Sequence, residues 1–344
     1  MPPAEAGEPL TVGTFCSGTD APIFALRQAG IPHRHVFSAE TNKHARTFIQ
    51  ANCPPETLYG DIMALDLATV PRVDLFVAGP PCQVYSTMNP KRLKCEGSVE
   101  NGVLDERVYV LKRCLEYISV ARPKTAILEN VTALKKYWSN VATRREDIFS
   151  SVWSVTIYPI IECLREFYDT HTATMNPMVH CNCPQNRPRL YIVLTHKEIP
   201  YVFPPPIPLT ATYMDVLESV PSEQVQELTR GEAQVVQRVR ERCGSSWRGG
   251  VTTPQILEQQ LRVSGKCPKH KLFAHCLLAG NPSIAVELKR RLTRREIFRF
   301  QGFCDETSIC HAILTHRQIA KLLGNAMHVG VLQSIFDELL TIHF

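Results

Sequence analysis

Between residues 10 and 131, short β-rich runs alternate with helix-patterned ones, and this alternation constrains the fold more than any other feature. Leu10 to Cys16 reads as a first strand, followed by the turn Ser17-Gly18-Thr19-Asp20. Ala21 to Gln28 reads as a helix closed by Gly30. His35 to Glu40 is a second strand ending in an acid, and Asn42 can cap a helix running to about Gln50. Asp74 to Ala78 is a buried strand, Val108 to Val120 is apolar at helical spacing, and Thr125 to Val131 is another strand with an acid near its end. Strands joined by helical crossovers run parallel, so the pattern predicts an α/β fold built on a Rossmann-like, mostly parallel sheet. Phe203-Pro204-Pro205-Pro206-Ile207-Pro208 cannot be helix and reads as an extended linker.

Chemistry in such sheets gathers at the carboxyl ends of the strands. The run Val73 to Gly79 stops abruptly at Pro80-Pro81 and presents Cys82 on a rigid loop, followed by Gln83. After the first strand, Gly18 allows close backbone approach and the next helix offers free N–H groups, a candidate nucleotide site. Glu40 stands about 20 residues further on, from where an acid binds ribose hydroxyls. Asp20 occupies a place where a second glycine would be usual.

Composition narrows the setting. No apolar run reaches membrane-spanning length, and the N-terminus lacks a basic-then-apolar signal pattern, so no membrane role is expected. The 13 cysteines follow no repeating spacing, which points to a reducing, intracellular setting rather than a disulfide framework. Charge is uneven. Residues 221–300 hold 15 Lys/Arg against 7 Asp/Glu, about +8, and the rest of the chain carries about −3. A basic portion of this kind suits phosphate contacts, or else is a solvated helical face.

Several motifs in order then resemble those of the cytosine-C5 DNA methyltransferases. Phe15-Cys16-Ser17-Gly18 resembles the cofactor loop, Glu40 the ribose acid, followed by Thr41 where a bulky residue is common, and Gly60-Asp61-Ile62 the adenine-contacting turn. Gly79-Pro80-Pro81-Cys82-Gln83-Val84-Tyr85-Ser86 resembles the nucleophile loop, Glu129-Asn130-Val131 the acidic strand end, and Gln185 to Arg189 the Gln-x-Arg-x-Arg motif. Arg291 to Phe303 and Gly324-Asn325-Ala326-Met327 resemble the last two. The resemblance spans roughly residues 10–196 and 288–335. It implies an S-adenosylmethionine-dependent methyltransferase fold, with residues 1–196 and 315–344 forming the catalytic domain. Residues 197–314, including the basic motif 289–303, would form a smaller target-recognition domain.

The resemblance also implies a mechanism. The thiolate of Cys82 adds to C6 of a flipped-out cytosine, and C5 then takes the methyl group of S-adenosylmethionine, leaving S-adenosylhomocysteine. Loss of the C5 proton expels the thiolate. Only a few per cent of a free cysteine is ionised near neutral pH, so nearby positive charge such as Arg187 or Arg189 would help. Glu129 would be held protonated or share a proton with ring N3, Arg189 would hold the cytosine carbonyl oxygen, and Arg187 would position it. The Pro80 carbonyl would read the exocyclic amine. Cofactor contacts are expected from Phe15, Cys16, Ser17, Gly18, Glu40, Thr41, Asp61, Ile62, Pro80, Asn325 and Ala326. Contacts to double-stranded DNA are expected from Gln83, Ser86, Trp247, Arg248, Arg262, Lys266, Lys269 and Lys271, with room for a protein partner in targeting. A transfer-RNA methyltransferase of the same fold and a silent binding relative are the alternatives. Gly79 favours DNA, and retention of Cys82 and Glu129 favours an enzyme.

Two features stay open. His180-Cys181-x-Cys183 and Cys267 to Cys276 have ligand types without a regular Cys-x-x-Cys pair, so free cysteines are expected and no metal. Lys289 to Arg295 fits a nuclear-import patch, in a eukaryotic setting, a DNA-facing surface or a structural helix.

Overall fold

The computed structural model describes residues 8–86, 106–142, 152–219, 221, 226–244, 250–254, 256–257, 273–279, 283–304 and 313–341. The chain divides into two compact units. One comprises residues 1–174, 188–203 and 335–344, the other residues 175–187 and 204–334.

The first unit is built on a seven-stranded sheet of order β3-β2-β1-β4-β5-β8-β6. Its strands are β1 (Leu10–Phe15), β2 (His33–Ala39), β3 (Thr57–Tyr59), β4 (Leu75–Ala78), β5 (Thr125–Val131), β6 (Tyr168–Met175) and β8 (Arg189–His196), with β7 (Gln185–Asn186) belonging to the second unit. β1 to β5 pair in parallel, and β8 runs antiparallel to β5. The sheet is therefore mixed and mostly parallel: the alternation predicts the parallel part, and the antiparallel β8 makes it mixed. Helices α1 (Ala21–Gln28), α2 (Lys43–Asn52), α3 (Glu106–Ala121), α4 (Leu134–Ala142) and α5 (Val152–Leu164) supply the connections. Asn42 caps α2, its side chain accepting from the N–H of His44 and Ala45 at 2.9 and 3.2 Å.

Helical spacing explains how α3 seats. Val108, Leu111, Leu115 and Ile118 repeat at intervals of three and four, and all are buried in the core of this unit. Phe15, Phe37, Phe76 and Tyr117 form an aromatic cluster with centroids between 4.6 and 5.6 Å apart. Each buried phenylalanine is worth about 1.5–3 kcal/mol. The cluster dictates the residue at position 13, because a Cβ on Gly13 would lie 2.1 Å from the Phe37 ring.

In the second unit, the helix Arg230–Cys243 starts with a capping box between Thr229 and Glu232. It buries Val235, Val236 and Val239 with Leu257, Ile284 and Val286. Ile284–Ala285 pairs antiparallel with Val251–Thr252 and with Arg290–Arg291. The basic run 289–295 is divided: Lys289 and Arg295 are exposed, whereas Arg290 and Arg291 pair with acids. Arg290 makes a two-pronged pair with Glu296 at 2.6 and 2.8 Å, both nearly fully buried, and Arg291 reaches Glu232 at 2.8 Å. Those two arginines are structural, which answers the question left open for this run at its centre. Phe203 to Pro208 has no regular secondary structure.

Candidate active site

Strand register assembles the site. Phe15 at the end of β1 pairs with Ala39 on one side and Ala78 on the other, and Ala78 pairs with Leu128. The residues that follow, the 16–20 loop, Glu40, the 79–86 loop and Glu129-Asn130, therefore sit at one end of the sheet.

The cysteine loop is braced at both ends. Gly79 N donates to the Phe15 carbonyl at 3.3 Å, and Asn130 Nδ2 donates to the Pro80 carbonyl at 3.0 Å. Beyond it, the N–H groups of Tyr85 and Ser86 both donate to the Cys82 carbonyl at 3.0 Å. Val84 and Tyr85 are buried while Cys82 stays half-exposed and Gln83 exposed, so the loop is anchored by its apolar residues. Asn130 is itself fixed, because its Oδ1 accepts from Val131 N at 2.9 Å.

Glu129 and Arg189 meet across β5 and β8. Val131 pairs with Arg189 and Glu129 with Tyr191, so Glu129 and Arg189 are diagonal neighbours on one face. Arg189 Nε lies 3.4 Å from Glu129 Oε1, and the Glu129 residue is 8% exposed. The two groups are thus held together in a largely water-free place, where electrostatic interaction is strong.

The other half of this end is the loop after β1. Three of its five residues are left-handed, Cys16 at φ 52°, Gly18 at 57° and Asp20 at 51°. Gly18 N donates to Glu40 Oε2 at 2.8 Å, and Asn42 N donates to Glu40 Oε1 at 2.8 Å. The carboxylate is thereby fixed at the mouth of the loop. Asp61 caps the short turn Ile62–Ala64 by accepting from Met63 N at 2.9 Å, with Ile62 buried and Thr41 exposed. The Phe15 ring lies wholly in the aromatic core, and Ser17 is buried with its hydroxyl 2.6 Å from Thr14 Oγ1. These two offer the loop their packing. The Cys16 thiol is pushed well up by its hydrogen bond with Cys114 and by burial, so it is inert beside Cys82.

Arg187 belongs to the second unit, and its side chain is spent there. The residue is 2% exposed. Nη1 and Nη2 each donate to the Gly324 carbonyl at 3.2 Å, Nη2 to Ala326 at 2.7 Å, and Nη1 to Leu277 at 3.3 Å. Ala326 is buried and Asn325 exposed at the end of the helix His316–Asn325. Of the residues expected to meet DNA, Trp247, Arg248, Arg262, Lys266, Lys269 and Lys271 lie outside the described residues, and Ser86 is half-buried. Sequence reasoning assigned no task to Asn130 or to Asp20. Asn130 stood inside a recognised motif, and Asp20 showed only as a missing glycine.

Among the described residues no group of three His, Cys, Asp or Glu could hold a metal ion. Nine described cysteines are free, and Cys243 is disulfide-bonded. Burial pushes the Cys181 thiol up to about 12 and Cys183 well up. No helix among the described residues is long and apolar enough to cross a membrane.

The sequence matches the family described as C-5 cytosine-specific DNA methylase over residues 10–341. The chain belongs to that family. It is an enzyme, a DNA (cytosine-5-)-methyltransferase, and its chemistry requires a methyl donor. The type II methyltransferase M.NgoBI of Neisseria gonorrhoeae is 27% identical over 303 residues, 87% of this chain and 84% of that relative. The type II methyltransferase M.NlaX of Neisseria lactamica is 26% identical over 323 residues, 89% of this chain and 88% of the relative. Among solved structures, the S. pombe Dnmt2 methyltransferase has a TM-score of 0.64 at 17% identity, covering 96% of this chain and 98% of that one. Entamoeba histolytica EhMeth gives 0.65 at 16% identity, covering 97% and 98%. At those identities the likeness is one of fold, and it places this methylase among the methyltransferase structures.

Proposed function

We propose that this methylase modifies cytosine in double-stranded DNA through a covalent bond from Cys82, with S-adenosylmethionine as methyl donor. The observation that carries the reading is the bracing of the Cys82 loop against β5. One hydrogen bond from Asn130 fixes Pro80, while the adjacent Glu129 faces Arg189 at 3.4 Å.

The residues present fit the donor. A carboxylate held at the end of β2, a glycine loop with a left-handed backbone and the N-terminus of α1 form a set suited to ribose hydroxyls and a polar tail. Glu40, the 16–18 backbone and Asp61-Ile62 would hold S-adenosylmethionine, which supplies an electrophilic methyl group. The chain's own residues do the rest. Cys82 Sγ forms a bond to C6, and the C5–C6 π electrons become nucleophilic at C5. Glu129, carrying one proton, donates to ring N3. Arg189 holds the carbonyl oxygen and keeps Glu129 in place. When the C5 proton leaves to a base, the S–C6 bond breaks and the thiolate returns.

Cys82→Ser tests the assignment. A hydroxyl is far less ionised than a thiol, so methyl transfer to duplex DNA from labelled donor should vanish while the melting temperature holds. A duplex carrying 5-fluorocytosine should trap the parent enzyme covalently and spare the variant, since fluorine cannot leave as the proton does. Retained turnover in Cys82→Ser, or transfer to transfer RNA alone, would overturn the reading.

A further inference from the structure

Beneath the 16–20 loop lies a cluster that the reaction does not use. Asp20 is fully buried, and its side chain makes no helix-cap bond. Instead Oδ1 accepts from Thr14 Oγ1 at 2.6 Å and Oδ2 from Ser38 Oγ at 2.6 Å. Ser38 Oγ is also 2.8 Å from His35 Nε2, which stands 3.7 Å from Oδ2. His35 Nδ1 is 3.0 Å from the Cys53 carbonyl, which can only accept, so Nδ1 carries a hydrogen.

Counting hydrogens leaves few choices. Ser38 has one to give. If Asp20 is protonated it donates to Ser38, and Ser38 donates to the bare Nε2. If Asp20 is ionised, Ser38 donates to it and Nε2 must carry a second hydrogen to donate to Ser38. Either pattern satisfies every group, and both contain the same single shared proton. With that proton gone, Oδ2 and Nε2 compete for the one Ser38 hydrogen, so one buried acceptor goes unsatisfied beside a buried carboxylate that no positive charge balances, which is costly.

We propose that Asp20, Ser38 and His35 form a buried one-proton relay that positions the 16–20 loop for the cofactor, a reading that rests on the cofactor assignment above. The relay ties the loop to β2 from below as Gly18 and Glu40 tie it from above. Asp20 is a positioning residue and touches no substrate.

The charged groups around it decide where the proton sits. Burial pushes the Asp20 carboxyl up to about 7, and the Glu40 carboxylate adds to the rise. Burial pushes His35 down to about 4, with His33 and Arg27 opposing its charge. The Cys53 thiol is pushed well up by burial and then by Asp20, so it stays neutral. The proton therefore resides on Asp20, and it is lost as pH rises through about 7.

The test uses S-adenosylhomocysteine, which lacks the sulfonium charge, in calorimetry from about pH 6 to pH 8.5. The parent's affinity should fall with pH, with a slope of at most about tenfold per pH unit, the limit for one proton. Asp20→Asn reproduces the protonated pattern, its amide oxygen accepting from Thr14 and its N–H donating to Ser38. It should match the parent at the acidic end and stay flat. A flat parent, or an unchanged slope in Asp20→Asn, overturns the relay. Infrared spectroscopy gives a second measurement on the unliganded parent, independent of any variant's folding. A protonated carboxylic carbonyl band should disappear through about pH 7. Its absence at acidic pH overturns the proposal. A parent that shows the band but binds no S-adenosylhomocysteine overturns the cofactor assignment, and with it the loop's purpose, while leaving the shared proton established.

Discussion

Asn130 holds Pro80. Its Nδ2 donates to the Pro80 carbonyl at 3.0 Å from a residue that is 2% exposed, so the acidic strand end and the cysteine loop move together. The asparagine that follows the acid thus braces the cysteine loop.

Asn130→Ala should therefore act on both stability and rate. Loss of a buried hydrogen bond costs about 1–3 kcal/mol when the remaining partner is stranded. Urea denaturation should show that loss, and single-turnover methylation should slow at least as much, with cofactor affinity unchanged. Full activity in a destabilised variant would show that the loop keeps its place unaided.

Glu40→Ala should weaken S-adenosylmethionine binding by about 1.5–3 kcal/mol, the worth of hydrogen bonds to a charged group. The same change frees Gly18 N and Asn42 N, so the loop loses its upper tie as well. Calorimetry on the two proteins decides this, and equal affinities would remove Glu40 from the site.

The two arginines of the Gln-x-Arg-x-Arg motif should separate cleanly. Arg187→Met takes from the buried carbonyls of Gly324 and Ala326 their guanidinium donors, each loss costing about 1–3 kcal/mol, so stability should fall sharply. Arg189→Met removes the partner of Glu129 at the reacting end of the sheet and should lower kcat with a smaller loss of stability. Thermal melts alongside steady-state kinetics give the comparison. The reverse ranking would exchange the two assignments.

Acid should unfold the second unit partly through His328. Burial, and then the Arg187 charge, push its imidazole down from about 6.5 to about 3. The unfolded chain takes up the proton first, so this contribution is complete above about pH 6.5 and is lost as pH falls toward 3. At pH 5 the loss is roughly 2 kcal/mol. Asp20 has the opposite sign, since its raised carboxyl stabilises the fold at low pH and that contribution fades as pH rises to about 7. Comparing His328→Gln with its parent at pH 7 and 5 isolates the histidine, and the variant should lose less on acidification.

The sheet was legible because its strands are apolar, short and punctuated. β1, β2, β4 and β5 each end at a glycine, an acid or a proline, and α2 and α3 follow with a cap or a helical repeat. β6 gave no such signal. Tyr168–Met175 is buried at its two ends and largely exposed between, with polar residues that read as loop. α5 hid behind Pro159, which lies inside the helix. At the site, residue types showed which groups carry chemistry but not where they are spent. Arg290 and Arg291 look like a phosphate-seeking run because Glu232, which neutralises Arg291, stands 59 positions away. Arg187 and Arg189 are two residues apart and chemically alike, yet one is consumed by backbone carbonyls and the other faces an acid. Such pairings are fixed by tertiary approach, which periodicity does not encode.

Arg187 also sets an order of assembly. Its Ala326 partner lies 139 positions later in the chain. While the protein is being synthesised, the guanidinium can reach Cys276 and Leu277 once they are made, but its bonds to Gly324 and Ala326 wait until those residues have emerged. A nascent chain halted before residue 324 must leave that charge in water or pay to bury it. The segment around Arg187 thus cannot lock early, and a ribosome-bound product cut short before this point should remain sensitive to protease where the finished enzyme resists it.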